Sequence, residues 1–292
     1  MTKPVPVAKG NAILGEVPLW STEEQALYWV DVKNPTIHRY DPKTRRRRHW
    51  LIETEIGSIG LAGKDRLVAG LRTGLHYVDL ETGAIEPICD PEGGGRFNEN
   101  RLNDGKMDRA GRFWCGSMQD PGHAPVGTLY RFSADGKWST AERKIRIPNA
   151  LSWSPDDRTM YFSDSATNQI RAYDFDLASG EIANPRTFAT VPEGLGHPDG
   201  ATVDADGFVW SAHIFGGRIT RYDPDGRVER VIELPVPQVT SCAFGGSDLE
   251  TLYVTTASMH MDRAALAAAP LAGALFAVDV GVRGLPEPHF GG

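Results

Sequence analysis

Met160-Tyr161-Phe162-Ser163-Asp164, a short polar turn, and Ile170-Arg171-Ala172-Tyr173-Asp174 form the most legible stretch of this chain. Each half is a brief run of aromatic and aliphatic residues with period-2 character, and the residues between them suit a hairpin turn. The same pattern recurs on both sides. Upstream it runs from Leu27-Tyr28-Trp29-Val30-Asp31 to Ile37-His38-Arg39-Tyr40-Asp41, from Leu67-Val68-Ala69-Gly70 to Leu75-His76-Tyr77-Val78-Asp79, and from Phe113-Trp114-Cys115-Gly116 to Leu129-Tyr130-Arg131-Phe132. Downstream it runs from Val209-Trp210-Ser211-Ala212 to Ile219-Thr220-Arg221-Tyr222-Asp223, and from Leu252-Tyr253-Val254-Thr255 to Leu275-Phe276-Ala277-Val278-Asp279. The six units start 40 to 49 residues apart, a period that marks a propeller or array when the units are strands.

A third strand precedes each pair, as in Val17-Pro18-Leu19-Trp20, Ser58-Ile59-Gly60-Leu61, Asn149 to Trp153, Ala201-Thr202-Val203 and Ser241 to Phe244. With a weaker fourth strand, the units predict an all-β fold. It is a six-bladed β-propeller with four-stranded antiparallel blades around a central channel. Residues 1–292 then form a single domain, because no unit buries its faces without neighbours. Turn clusters such as Ser154-Pro155-Asp156-Asp157 and Asp223-Pro224-Asp225-Gly226 separate the strands. No helical stripe of ten or more residues appears, and only Asp262 to Ala269 suits a helical turn or two. The last unit runs out after Val280, so the opening segment Pro4 to Ile13 is expected to supply the outer strand of the last blade.

The formal net charge of −7 and pI near 5.6 argue against a nucleic-acid partner. The run Arg45-Arg46-Arg47-Arg48 reads as a solvated hairpin or edge strand. Cys89, Cys115 and Cys242 lack metal-type spacing and cannot all pair, which fits a reducing compartment. The N-terminal residues have no long apolar core, and Ala264 to Ala274 is too short to cross a membrane. The expectation is a soluble, cytoplasmic protein, a monomer or weak oligomer, with no membrane partner.

Ten to twelve residues before each unit stand Glu16, Gly57, Asn103, Asn149, Asp199 and Thr240, at the entries of the innermost strands. Glu16, Asn103, Asn149 and Asp199 therefore converge at the channel mouth as an oxygen-only set of charge about −2, which suits a hard divalent cation such as Ca²⁺, Mg²⁺ or Mn²⁺. Without a cation, two carboxylates in one narrow mouth repel, and one is pushed toward protonation. Asn and Asp also start strands as turn residues, but four at equivalent offsets exceed what turn chemistry requires. Asp104 suits an outer, supporting position, Arg101 can donate to a substrate oxygen, His197 belongs to the rim, and Asp204 reads as a turn aspartate. Neither an HExxH nor a phosphate-cradling glycine loop is present.

Leu14 to Trp20, Arg101 to Asp108, Gly111 to Met118, Ile147 to Ser154, Pro198-Asp199-Gly200 and Thr240 to Gly246 together resemble the senescence marker protein/regucalcin/gluconolactonase family of six-bladed propellers. The likeness runs from about Gly15 to the tail at Gly284. It implies one divalent metal (Ca, Mg, Mn, Zn or Fe) held by Glu16, Asn149 and Asp199. It further implies that Arg101 and Asn103 face the substrate and that Asp199 doubles as general base. The stretch Met118 to Val126, with Gln119 and His123, corresponds to a lid, and is shorter and less acidic than in the animal members. Substrate choice therefore does not carry over.

The activity these residues imply is metal-dependent hydrolysis of a sugar lactone to the aldonic acid. The alternatives at the same site are a metal-dependent esterase or organophosphate hydrolase, and a non-enzymatic calcium-binding propeller.

Overall fold

In the computed structural model, which describes residues 3–8 and 12–292, all six hairpins form. Each is extended on both sides into a four-stranded antiparallel sheet. Blade 1 is built from Gly15–Ser21, Ala26–Asp31, Thr36–Asp41 and Arg46–Leu51, in that order from the axis outward. The first strands of blades 2 to 6 are Ile56–Leu61, Asn100–Met107, Pro148–Trp153, His197–Val203 and Val239–Gly245. These first strands contact one another around the ring and so surround the channel. The fold is the six-bladed β-propeller that the repeat predicts.

Strand alternation explains why a blade cannot stand alone. Leu27 and Trp29 point into the apolar cluster shared with blade 6, whereas Tyr28 and Val30 point into the cluster shared with blade 2. Met160 and Phe162 likewise face blade 3, while Tyr161 faces blade 5. Successive side chains of a strand leave opposite faces, so each sheet supplies half of two cores. The six clusters each occupy one interface between neighbouring blades.

The ring closes as expected. Val5–Ala8 pairs antiparallel with Leu275–Asp279 and becomes the outer strand of blade 6. Residues 9–11 of the predicted closing segment lie outside the described residues. The arginine run sits on the exposed outer edge strand Arg46–Leu51, and Arg263–Ala268 forms one short helix capped by Asp262. Cys115 and Cys242 are buried, Cys89 is half-buried, and all three are free. Asp204 accepts hydrogen bonds from the amides of Asp206 and Phe208 and from Trp210 Nε1, which is the work of a turn aspartate. No helix among the described residues is long and apolar enough to cross a membrane.

Candidate active site at the channel mouth

At the entry of each first strand the pairing with the second strand slips. The slips fall between Glu16 and Leu19, Ile56 and Ser58, Leu102 and Gly105, Asn149 and Ser152, Pro198 and Ala201, and Val239 and Ser241. A bulge of this kind bends its strand and re-aims a side chain. Two of them are backed by left-handed residues directly after a site residue, Val17 at φ 45° and Ala150 at φ 60°. A β-branched or simple L-residue holds that conformation only when its surroundings impose it.

Two entries contribute no side chain to the mouth, for separate reasons. At Gly57 an added Cβ would stand 2.2 Å from the Leu102 carbonyl oxygen and 2.7 Å from Asn103 Cα. The glycine lets blade 2 press against the strand that carries Asn103. Thr240 turns its hydroxyl to the Gly15 carbonyl at 2.5 Å, with the Thr255 hydroxyl 2.9 Å away, and is used up joining blades 6 and 1.

The other four entries are buried, and hydrogen bonds string the two asparagine side chains together. Arg101 Nη1 donates to Asn103 Oδ1 at 2.6 Å, and Asn103 Nδ2 donates to the Pro148 carbonyl at 2.9 Å. The same Nδ2 stands 3.4 Å from Asn149 Oδ1. Asn149 in turn donates through Nδ2 to Ser165 Oγ at 2.8 Å, which donates to the Pro198 carbonyl at 2.6 Å, next to Asp199. This chain orients both amides. Asn149 turns its oxygen away from Ser165, whereas the oxygen of Asn103 is taken by Arg101. The four entries are therefore not equivalent donors, and the symmetry expected from their offsets breaks at Asn103.

Glu16 (8 % exposed) and Asp199 (6 % exposed) have no such partners. Among the described residues, Glu16 Oε2 accepts one hydrogen bond, from its neighbour amide Val17 N at 3.1 Å. Burial, and then the charge of Asp104, push the Glu16 carboxyl up to about 8 against the pull of the Val17 amide and Arg101. Burial raises Asp104 to about 6, with the Leu151 amide and Lys106 pulling the other way. Asp199 is raised well above the usual carboxylate range, by burial first and then by Glu16 and Asp104. Among the described residues no lysine or arginine forms an ion pair with any of the three. Buried like charges without a counter-ion are costly, and a cation beside them relieves both burial and repulsion. No three His, Cys, Asp or Glu side chains among the described residues form a metal-holding group by themselves. The residues at the mouth that could hold a cation are Glu16, Asp199 and the Asn149 amide oxygen, and an all-oxygen set of this kind would fit a hard divalent ion.

Asp120 and Lys33 also belong to the site, although the sequence alone points to neither. Asp120 accepts from Arg101 Nε at 2.5 Å and from Lys33 Nζ at 2.7 Å. Burial raises its carboxyl, but the charges and hydrogen bonds of Arg101 and Lys33 outweigh that and hold it at about 2. Arg72 donates to the Asp120 and Asn98 carbonyls while clamping Glu55 through two nitrogens. Of the two predicted lid residues, Gln119 lies outside the cluster: it bonds Glu99 and receives the Ala124 amide, which shapes the loop itself. His123 is exposed in that loop.

A six-bladed propeller with buried carboxylates gathered at one channel mouth offers a site for small-molecule chemistry at its axis. Residues 14–258 match the SMP-30/Gluconolactonase/LRE-like region, and the chain belongs to that family. It is 35 % identical to the 6-deoxy-6-sulfogluconolactonase of Pseudomonas putida, with 98 % of each chain covered. It is 36 % identical to the pentonolactonase XacC of Haloferax volcanii, over 94 % of this chain and 93 % of that one. Among solved structures, the calcium-binding protein regucalcin from Agrobacterium tumefaciens superposes with a TM-score of 0.93 at 28 % identity, covering 98 % of this chain and 96 % of that one.

Proposed function

We propose that this protein hydrolyses a sugar lactone, an aldono-1,4- or 1,5-lactone, to the aldonic acid at the mouth formed by Glu16, Asn149 and Asp199. The observation that carries the reading is the set of buried carboxylates at the strand entries, raised by burial first and then by one another, with the Arg101–Asn103–Asn149 hydrogen-bond chain at the neighbouring entries. The lactonase names of the two curated relatives support the same substrate class.

In the reaction, water adds to the lactone carbonyl carbon and Asp199 accepts its proton. The ring C–O bond then breaks, the ring oxygen regains a proton, and the open-chain acid leaves. Glu16, Asn149 and Asp199 would hold a divalent cation, which when bound would supply Lewis acidity and keep the carboxylates ionised at neutral pH. Arg101 and the Asn103 amide orient the sugar hydroxyls, so they contribute position rather than proton transfer. Asp120 fixes Arg101 from behind through its Nε. The calcium-binding description of the solved relative makes Ca²⁺ one of the cations to supply, beside Mg²⁺, Mn²⁺, Zn²⁺ and Fe²⁺.

The test is a panel of aldonolactones and an aryl phosphotriester, assayed with metal-stripped protein and with each cation restored. The reading predicts cation-restored lactone opening that exceeds phosphotriester cleavage by orders of magnitude. Preferred phosphotriester turnover, or tight cation binding with no hydrolysis, contradicts it.

A further inference from the structure

Blades 1 to 3 bring charge to the rim through Lys33, Glu55, Arg72, Arg101 and Asp120. Blade 5 brings an aromatic. Phe215 lies in the turn between Val209–Ile214 and Arg218–Tyr222, at the same end of the blade as Asp199. The residue is 56 % exposed. Its backbone is left-handed at φ 62°, a conformation that a bulky residue rarely holds.

The surroundings impose that conformation. An added Cβ on Gly196 would lie 2.4 Å from the Ile214 carbonyl oxygen and 2.5 Å from Gly216 N, and one on Gly216 would lie 2.2 Å from the Leu195 carbonyl oxygen. The turn and the strand leading to Asp199 are thus pressed backbone to backbone. Beside them, His197 presents its ring edge-on to Phe215, with centroids 6.5 Å apart and planes at 89°. His197 Nδ1 is fixed by Asn168 Oδ1 at 2.5 Å. His197 precedes Asp199 by two residues on the same strand, so the two Cα atoms are roughly 7 Å apart.

A strained, exposed aromatic beside a reaction centre points to a function that the strain serves. We infer that Phe215, backed by His197, forms an apolar wall of the substrate site, on which the C–H face of the sugar lactone packs. The charged rim of blades 1 to 3 takes the hydroxyl edge. This inference rests on the lactonase reading and adds a specificity-determining residue to it. An aromatic face recognises the carbon skeleton of a sugar without using its hydroxyls, and it favours the substrate with more ring and tail carbon to cover.

Phe215→Gly tests it, because glycine accepts the left-handed turn without strain. Initial rates are measured on an aldonolactone and on unsubstituted γ-butyrolactone, and the thermal midpoint is recorded alongside. The wall predicts an aldonolactone KM raised about fivefold to tenfold, kcat within about twofold, a smaller KM rise for γ-butyrolactone, which has less carbon to cover, and an undiminished midpoint. Phe215→Trp restores the aldonolactone KM. An aldonolactone KM unchanged in Phe215→Gly overturns the wall, as does a KM raised equally for both lactones or a lowered midpoint. Wild-type protein that opens no aldonolactone overturns the lactonase reading instead.

Discussion

At the residue scale, the site depends on which end of each side-chain amide is held by a strong partner. The sequence places Asn103 and Asn149 at equivalent offsets, and only the hydrogen-bond chain separates them. Arg101 occupies the oxygen of Asn103, while Ser165 occupies the nitrogen of Asn149. Asn149→Asp keeps an oxygen donor but loses the donor to Ser165. Its cation affinity, read by titration calorimetry, is expected to fall no more than about tenfold, whereas Asn149→Ala loses the proposed ligand oxygen and falls further. Asp120 was not legible in advance, because an aspartate in a loop between strands carries no periodic signal and its partners are far off in sequence: Lys33 comes from blade 1 and Arg101 from the first strand of Asp120's own blade. Asp120→Asn weakens the hold on Arg101 and Lys33. It is expected to raise the lactone KM more than it lowers kcat, since it acts through a residue that positions substrate.

The raised carboxyls also set a pH signature. Glu16 titrates near 8 in the folded protein against 4.5 ordinarily. Between those values the unfolded chain has already released a proton that the folded chain keeps, so stability falls as pH rises through that window. Cation-free protein is therefore expected to lose thermal midpoint between pH 5 and pH 8. An added divalent cation should raise the midpoint more at pH 8 than at pH 5, where protons compete for the same oxygens. At a hundredfold excess over Kd the gain is about 2.7 kcal/mol. An equal shift at both pH values, read by thermal denaturation, contradicts the cation site.

At the element scale, the strands were legible and their irregularities were not. Alternation of apolar residues in runs such as Leu27 to Val30 reports two buried faces, and it predicted every hairpin. The slips at the six entries leave no such trace, because a bulge is one extra residue in a run whose composition stays ordinary. Gly57 shows what that hides. In the sequence it is an entry without chemistry; in the fold it is the contact that seats the Asn103 strand. Gly57→Ala would drive a Cβ against the Leu102 carbonyl oxygen at 2.2 Å. It is expected to cost about 1–3 kcal/mol in chemical denaturation and to lower turnover by displacing Asn103. A variant of wild-type stability and activity would show that the backbone yields there at no cost.

At the scale of the whole molecule, the chain ends close the ring twice. The opening strand Val5–Ala8 completes blade 6, as the shortfall of residues after Val280 had suggested. The terminal segment, left as a tail by the repeat, is ordered by contacts with separate blades. Gly284 pairs with Asp204 of blade 5, its amide donates to Leu249 of blade 6, Phe290 N reaches Leu61 of blade 2, and Gly291 N reaches Gly111 of blade 3. On the way, Glu287 meets Lys106 of the channel wall at 3.2 Å. A non-repeating segment of this kind is invisible to period arguments, since its partners are scattered over the ring. Glu287→Ala leaves Lys106 without its carboxylate and is expected to lower the thermal midpoint by at least about 2–4 °C, the equivalent of about 1 kcal/mol. An unshifted midpoint would mean that the tail lies on the ring without bracing it.

All three scales converge on Asp199, which the fold buries with Glu16 and which the proposed mechanism uses to take a proton from water. The most direct measurement is aldonolactone opening followed in a pH-stat, with divalent cation supplied, for wild-type protein and for Asp199→Asn. The substitution keeps the side-chain shape and removes the base. We predict that wild-type turnover depends on the cation and falls at least about a hundredfold in the variant, while the fold, read by circular dichroism, is unchanged. A folded Asp199→Asn variant that opens the lactone at the wild-type rate would contradict the account.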